Sequence, residues 1–269
     1  PMNAIIGYTA LMEKHWGEKE VTSGYLQKLK EAGNFLMDLI GNILEVARIE
    51  SGKETLTETA WNLCNLEDTL DLLLDRDIYK KQLTLKKNME LQHPKVYCDV
   101  LKVREITMNL LSNAVKYTPE GGTIHFTIRE LPYEREGYAL FQTVVEDTGI
   151  GISKEYIPHL FEAFTREKSS SESGIIGTGL GLRIVKNFVD LMEGSIVVES
   201  EIGKGTRFTV TIPHRIATAN EYISEENAKE LSEEITLNDV RILLAEDNML
   251  NAEIAMTLLA DANAYVELA

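Results

Sequence analysis

The sequence predicts an α+β protein in which a helical hairpin precedes an α/β sandwich, a mixed sheet with helices on one face. Three observations carry that prediction. Residues 2–52 repeat apolar side chains in alternating steps of three and four, the signature of a helical seam. Residues 53–213 interleave strand and helix patterns. Several of those strands follow one another directly, which favours hairpins inside a mixed sheet over a purely parallel one.

The hairpin comes first. Met2, Ile5, Thr9, Met12 and Trp16 form one series, and Leu26, Leu29, Gly33, Leu36, Ile40, Ile43 and Ala47 form a second, separated by the polar stretch 17–23. Two helices and a short turn follow from this, with Gly52 placed where a left-handed cap ends the second helix. One apolar stripe is left to bury. A second copy of the hairpin would do so by forming a four-helix bundle, which predicts a homodimer. The alternative is that the hairpin packs on the rest of its own chain.

The sandwich occupies residues 53–213. A helix is expected over 68–80, short strands over 83–88 and 95–98, and a long helix capped at its start by Asp99. Strands are expected over 123–129 and 138–146, then a helix over 180–192. Strands over 195–200 and 206–212 flank the turn at 201–205. Residues 214–238 are rich in Glu, Ser and Asn with little apolar periodicity, and read as a solvated acidic linker. From residue 239 to 269 the pattern changes again. Val240 opens the apolar strand R-I-L-L, followed by Glu246 and Asp247 and by a helix over 250–259.

Composition limits the possible functions. With 269 residues, 44% of them hydrophobic, the chain can build one or two packed cores. A formal charge of −16 argues against nucleic acid, because phosphate binding draws on clustered Lys and Arg. No apolar run approaches the roughly 18 residues that suggest a membrane span. The only cysteines, Cys64 and Cys98, read as buried thiols of a reducing, cytoplasmic compartment rather than a disulfide.

Three separated segments carry the chemistry. N-L-L-S-N-A-V-K-Y-T over 109–118 places Asn109 and Asn113 one helical turn apart, so both carboxamides look the same way, and Lys116 follows as a point charge for phosphate. Tyr117 can cover a base with its ring. E-D-T-G-I-G-I over 146–152 ends an apolar strand in Asp147, a carboxylate able to accept the exocyclic amine proton of adenine. Gly149 and Gly151, ahead of Ile152, let the backbone approach base and sugar. G-T-G-L-G-L over 177–182 (Gly177, Thr178, Gly179, Leu180, Gly181, Leu182) runs into a helix, whose exposed N–H groups and dipole suit the β- and γ-phosphates. No strand precedes these glycines, which argues against a dinucleotide fold. Together the segments predict a pocket for ATP with Mg²⁺, a cation that takes few protein oxygens besides the triphosphate.

These segments resemble the N, G1 and G2 boxes of bacterial hybrid sensor histidine kinases, whose catalytic domain is a GHKL-type ATPase fold. The resemblance implies that Asn113 is the direct Mg²⁺ ligand and Asn109 a neighbouring ligand or water-holder. Glu105, one turn before Asn109, would be either a catalytic group near the metal or a salt-bridging surface residue. Phe161 and Phe164 resemble the F box, although both could equally be core. Arg166 resembles the family's phosphate-reaching arginine, and E-K-S-S-S-E-S-G-I-I resembles its mobile lid. Gly203, Gly205 and Thr206 resemble its last glycine box. Hydrolytic relatives place a water-activating glutamate where this chain has Asn109, so transfer of the γ-phosphoryl to a protein histidine is implied. A GHKL-type ATPase and a dimeric ATP-sensing scaffold without kinase activity stand as alternatives.

P-M-N-A-I-I-G-Y at the start resembles the continuation of the family's H box, H-E-x-R-T-P, which would put the acceptor histidine five residues before Pro1. None of His15, His93, His125, His159 and His214 has that context. The 239–269 segment resembles the first strand and helix of a receiver domain, with Glu246 and Asp247 as its acidic Mg²⁺ pair. That domain's phosphoaccepting Asp would follow a third strand, beyond Ala269, and the simpler reading is a buried strand ending in a polar turn. The implied partners are a receiver domain or response regulator, and a membrane anchor elsewhere in the full-length protein is left open. Incubated with labelled ATP, residues 1–269 should bind the nucleotide yet stay unlabelled; a phosphoryl group on His15 would overturn this assignment.

Overall fold

A computed structural model of the chain describes residues 1–52, 54–165, 178–218, 237–238 and 240–269. It divides into two compact units, residues 1–222 and residues 223–269.

The first unit opens with α1 (Met2–Lys14) and α2 (Lys19–Glu50). At the turn between them, the Thr22 hydroxyl donates to His15 O at 3.0 Å, and the rings of Tyr8 and Tyr25 stack at 6.1 Å. At the far end Gly52 adopts φ +66 and its N–H donates to Ile49 O at 2.9 Å, the left-handed cap expected there. Neither helix holds a buried residue. Leu26, Ile40 and Ile43 of the predicted seam are more than 40% exposed. A different stripe of α2, Leu39, Val46 and Ile49, packs against the sandwich core. Both burial solutions therefore have a face of α2: one stripe serves this chain, and the seam remains open.

The sandwich runs β1 (Thr59–Asn62), α3 (Asn65–Lys80), β2 (Thr84–Glu90), β3 (Lys95–Cys98), α4 (Val100–Tyr117), β4 (Thr123–Leu131), β5 (Tyr138–Asp147), α5 (Gly181–Leu191), β6 (Ser195–Glu201) and β7 (Gly205–Ile216). The sheet order is β1-β3-β7-β5-β4-β2, with β6 also paired to β7. The β2–β4 pair is parallel and the others are antiparallel, so the sheet is mixed. Alternation along the strands sends one side of each to the core. Ile124, Phe126 and Ile128 of β4, Phe141 and Val145 of β5, and Phe208, Val210 and Ile212 of β7 are buried. They meet Leu66 and Leu70 of α3, Leu110 and Leu111 of α4, and Ile184 and Phe188 of α5.

Several elements differ from expectation. β1 has only four residues and is held by Trp61, whose 2% exposure shows how much apolar surface so short a segment buries. α3 begins at Asn65, three residues before the predicted start. β7 continues past Pro213, so His214 is part of the strand and not of the linker. Its ring lies 5.7 Å from that of Phe141, and burial pushes its pKa down to about 4. Pro213 is tolerated because β7 changes outer partners around it, from β6 up to Thr211 to β3 from Arg215. Both thiols are free as expected, but Cys64 is exposed while only Cys98 is buried, its pKa pushed up to about 12 by desolvation.

One contact secures the end of α4. The last carbonyls of a helix lack intrahelical donors. The Lys81 ammonium, from the turn after α3, donates to Val115 O and Lys116 O at 2.8 Å each and to Thr118 O at 3.1 Å. A cation here also complements the negative end of the helix dipole.

The second unit is a single β-α-β: β8 (Arg241–Leu244), α6 (Met249–Asp261) and β9 (Tyr265–Leu268), the two strands parallel. The linker expected over 214–238 lies mostly outside the described residues.

Replacing Lys81 with Met should destabilise the fold by about 1.5–3 kcal/mol, the range for hydrogen bonds to a charged group. Urea denaturation would show it as a lower midpoint at unchanged slope, and a midpoint equal to wild type would contradict the capping role.

Candidate functional site: a cavity between α4, β5 and the start of α5

Helix α4 forms one wall. Its N-cap Asp99 accepts from Lys102 N–H at 3.2 Å and Thr57 N–H at 2.9 Å. The stripe Val103, Ile106, Leu110, Leu111, Ala114 and Val115 is buried against the sheet. On a neighbouring face Asn109, Asn113, Lys116 and Tyr117 line a cavity of about 210 Å³. The Asn109 amide Nδ2 donates to Glu105 O at 3.0 Å, which fixes the side chain. Its Oδ1 then faces Gly181, where an added Cβ would stand 2.5 Å away. A side chain at position 181 would have to displace the Asn109 carboxamide.

Strand β5 supplies the carboxylate. Period-two alternation through Phe141 and Val145 puts Asp147 on the same, helix-facing side, at 7% exposure. Desolvation raises its pKa to about 6, opposed by hydrogen bonds from the backbone N–H of Gly149 and of Thr206. The Gly149 bond to Oδ1 measures 2.8 Å. On the other side Gly205 (φ +108) presses against the strand: a Cβ there would meet Asp147 O at 1.8 Å. The loop after Asp147 is tied to the β6–β7 turn by Ile152 N–H donating to Ser200 Oγ at 2.8 Å, and Ser200 Oγ lies 2.8 Å from Thr206 Oγ1.

The third wall is the start of α5, with Thr178, Gly179, Gly181 and Leu182 on the cavity. The Thr178 hydroxyl accepts from Leu180 N–H at 3.3 Å, and Gly179 O accepts from Phe164 N–H at 3.0 Å. Gly181 and Leu182, the first residues of an 11-residue helix, thus lie on the cavity, a setting suited to anions.

Of the residues picked out in the sequence, the cavity gathers Asn109, Asn113, Lys116, Tyr117, Asp147, Gly151, Ile152, Thr178, Gly179, Gly181, Leu182 and Thr206. Others stand outside it. Gly149 acts one step back, through its bond to Asp147, and Leu180 is fully buried in the core. Phe164 is 63% exposed in a left-handed backbone (φ +64), whereas Phe161 packs against the core. Glu105 does not line the cavity either. Its pKa rises to about 7 through burial and the neighbouring charges of Glu45 and Glu54, against Lys102, which places it at the contact with α2 and its following loop. Arg166, Gly177 and the lid segment between them lie outside the described residues. Ser200 and Asn42 had no signal as single residues; the β6–β7 register, which sets Ser200 opposite Thr206, is what reveals the first.

In the second unit Glu246 and Asp247 follow β8. Glu246 Oε1 accepts from Asn248 N–H at 3.1 Å and from Asn251 Nδ2 at 3.3 Å. Among the described residues no three His, Cys, Asp or Glu side chains gather as a metal site.

The family described as histidine kinase-, DNA gyrase B- and HSP90-like ATPase matches residues 98–216. The autoinducer 2 sensor kinase/phosphatase LuxQ of Vibrio vulnificus is 31% identical over 253 residues, covering 94% of this chain and 29% of that protein. The sensor protein GacS of Pseudomonas syringae pv. syringae is 36% identical over 217 residues, covering 79% and 23%. The crystal structure of full-length ShkA in complex with AMPPNP superposes with a TM-score of 0.61 at 23% identity, over 92% of this chain and 48% of that one, which is a likeness of fold. The chain spans less than a third of the length of these curated relatives.

The raised pKa of Asp147 has a signed consequence. Its charged form is penalised in the folded state, so its contribution to stability is fully present below the ordinary value of 3.8 and is lost as pH rises through about 6. Asp147→Asn should therefore stabilise the fold near pH 7 by on the order of 2 kcal/mol, with Tm a few degrees higher. Melting curves of both proteins from pH 4 to 8 should converge at the acid end; a variant less stable at pH 7 would contradict the burial cost.

Proposed function

Because residues 98–216 belong to the histidine kinase-, DNA gyrase B- and HSP90-like ATPases, in the form carried by bacterial sensor histidine kinases, we propose that this chain is the ATP-binding core of a two-component kinase. It would transfer the γ-phosphoryl of ATP to a histidine. The observation that carries this reading is the convergence on one cavity of a buried carboxylate, the two carboxamides of α4 and a glycine-lined helix start.

In this reading Asp147 accepts the exocyclic amine of adenine, with Gly149 and Thr206 holding the carboxylate in place. Tyr117 and Ile152 flank the base. Lys116 and the first N–H groups of α5 take the phosphates. The residues also fit Mg²⁺: with the Asn109 amide engaged by Glu105 O, its carboxamide oxygen is left as a donor, and Asn113 stands one turn on. Bound there, Mg²⁺ would neutralise charge on the β- and γ-phosphates. No carboxylate stands at position 109 to activate water, so transfer is favoured over hydrolysis. In the transfer, the γ-phosphorus–oxygen bond breaks, ADP departs, and a nitrogen–phosphorus bond forms on an imidazole that brings its own basicity. None of the five histidines of this sequence lines the cavity. The H-box resemblance at Pro1 to Tyr8 supports an acceptor histidine of the kind that goes with that motif, and not one of these five.

The open seam of α1 and α2 supports a homodimer through a four-helix bundle. Glu246 and Asp247 support a receiver-type Mg²⁺ pair, and hence a receiver aspartate, in this protein or in a response regulator, as the next acceptor. We place the domain in the cytoplasm, where ATP is available. No helix among the described residues is long and apolar enough to cross a membrane, and the whole protein can still be membrane-anchored.

Calorimetric titration of Mg·ATP should show binding to residues 1–269 and its loss in Asp147→Asn and in Asn113→Ala. Unchanged affinity in both variants would remove the pocket. Steady phosphate release without an acceptor protein would favour an ATPase instead.

A further inference from the structure

One cavity residue comes from neither the sheet nor its helices: Asn42, on α2 of the hairpin. Its place on that helix is informative. Leu39, Val46 and Ile49 form the stripe that docks α2 on the sandwich core, and Asn42 occupies the vacant position of the same stripe, three residues after Leu39 and four before Val46. The polar exception in an apolar docking face thus falls where that face crosses the cavity.

The end of the cavity it reaches can also be identified. A second, open groove of about 740 Å³ runs along α2, with Asp38, Gly41, Glu45 and Arg48 on one side and Asn109 and Thr178 on the other. Cavity and groove share Asn42, Asn109 and Thr178, whereas Asp147 belongs to the cavity alone. Asn42 therefore stands at the carboxamide and helix-start end, opposite the carboxylate. Asp38 and Glu45 flank it on α2, so a neutral amide at position 42 keeps a third negative charge away from that mouth.

Resting on the nucleotide reading of this cavity, we propose that Asn42 is a nucleotide-contacting residue supplied by the hairpin, its side-chain amide donating to the terminal phosphate of bound ATP. The hairpin then does more than present an acceptor: it completes the γ-phosphate end of the site and makes the pocket discriminate ATP from ADP.

The test compares Mg·AMPPNP with Mg·ADP on residues 1–269 by calorimetry, using wild type, Asn42→Ala, Asn42→Asp and Asp147→Asn. Asn42→Ala should weaken AMPPNP about tenfold, the value of a hydrogen bond to a charged group, and leave ADP unchanged. Asn42→Asp should weaken AMPPNP further still. Equal losses for both nucleotides, or undiminished AMPPNP affinity in both Asn42 variants, would overturn the assignment. Failure of the underlying reading looks different: wild type would bind neither nucleotide, or Asp147→Asn would bind ADP as wild type does. Position 42 is partly buried, and matching melting curves of the variants would exclude a folding defect.

Discussion

A carboxylate kept out of water is the constraint around which the first unit is arranged. Asp147 lies on the core-facing side of the sheet because β5 alternates, and burial there opposes its charge. The surroundings offset this with hydrogen bonds instead of a cation: no salt bridge to Asp147 is seen among the described residues, and backbone N–H groups of Gly149 and Thr206 serve it. Supplying those N–H groups forces the neighbouring geometry. The loop must turn back on itself, Gly205 must lie against the Asp147 backbone, and the Ser200–Thr206 pair must hold the β6–β7 turn against Ile152. A bare carboxylate satisfied by donors that leave lone pairs open is suited to accept one more proton donor. An arginine partner would have consumed that capacity.

Much of this was legible in the sequence, for a physical reason. Strand alternation, the Asp99 cap and the glycines before α5 are local rules, and each acts within one turn or one hairpin. The mixed sheet, the α4 cap and the positions of Asn109, Asn113 and Asp147 all follow from such rules. What escaped depends on contacts between distant segments. Lys81 reads as one more surface lysine until the end of α4 is brought above it. β1 is too short to show a period and exists because Trp61 is covered. His214 looked like linker because the sequence around it is polar, yet pairing with β5 carries β7 past Pro213. Glu105 shares a helix with Asn109 but points its chemistry at α2, a distinction that one turn of spacing does not resolve.

The contact between hairpin and sandwich is polar at its edges and apolar at its centre. Lys102 bridges Glu54 at 2.7 Å and Asp99 at 3.3 Å, and Arg183 of α5 reaches Glu50 at 3.4 Å. The exposed Arg183–Glu50 pair contributes little, the Lys102 contacts are largely shielded from water, and the Leu39, Val46 and Ile49 stripe supplies the apolar part of the attraction. Glu45 and Glu105 work against it, since burial raises the pKa of both and their charges repel.

That same helix has two obligations. The stripe through Asn42 faces the cavity, and the Ile40 and Ile43 seam faces away from the core, exposed. On an α-helix neighbouring residues are about 100° apart, so the two faces cannot be set independently. Turning α2 by one residue position would carry Asn42 off the cavity and bring Gly41 or Ile43 to its wall, exchanging an amide for no side chain or for an apolar one. Seam and cavity face are thus carried by one helix, and the packing that fixes Leu39, Val46 and Ile49 on the sandwich also fixes where Asn42 stands.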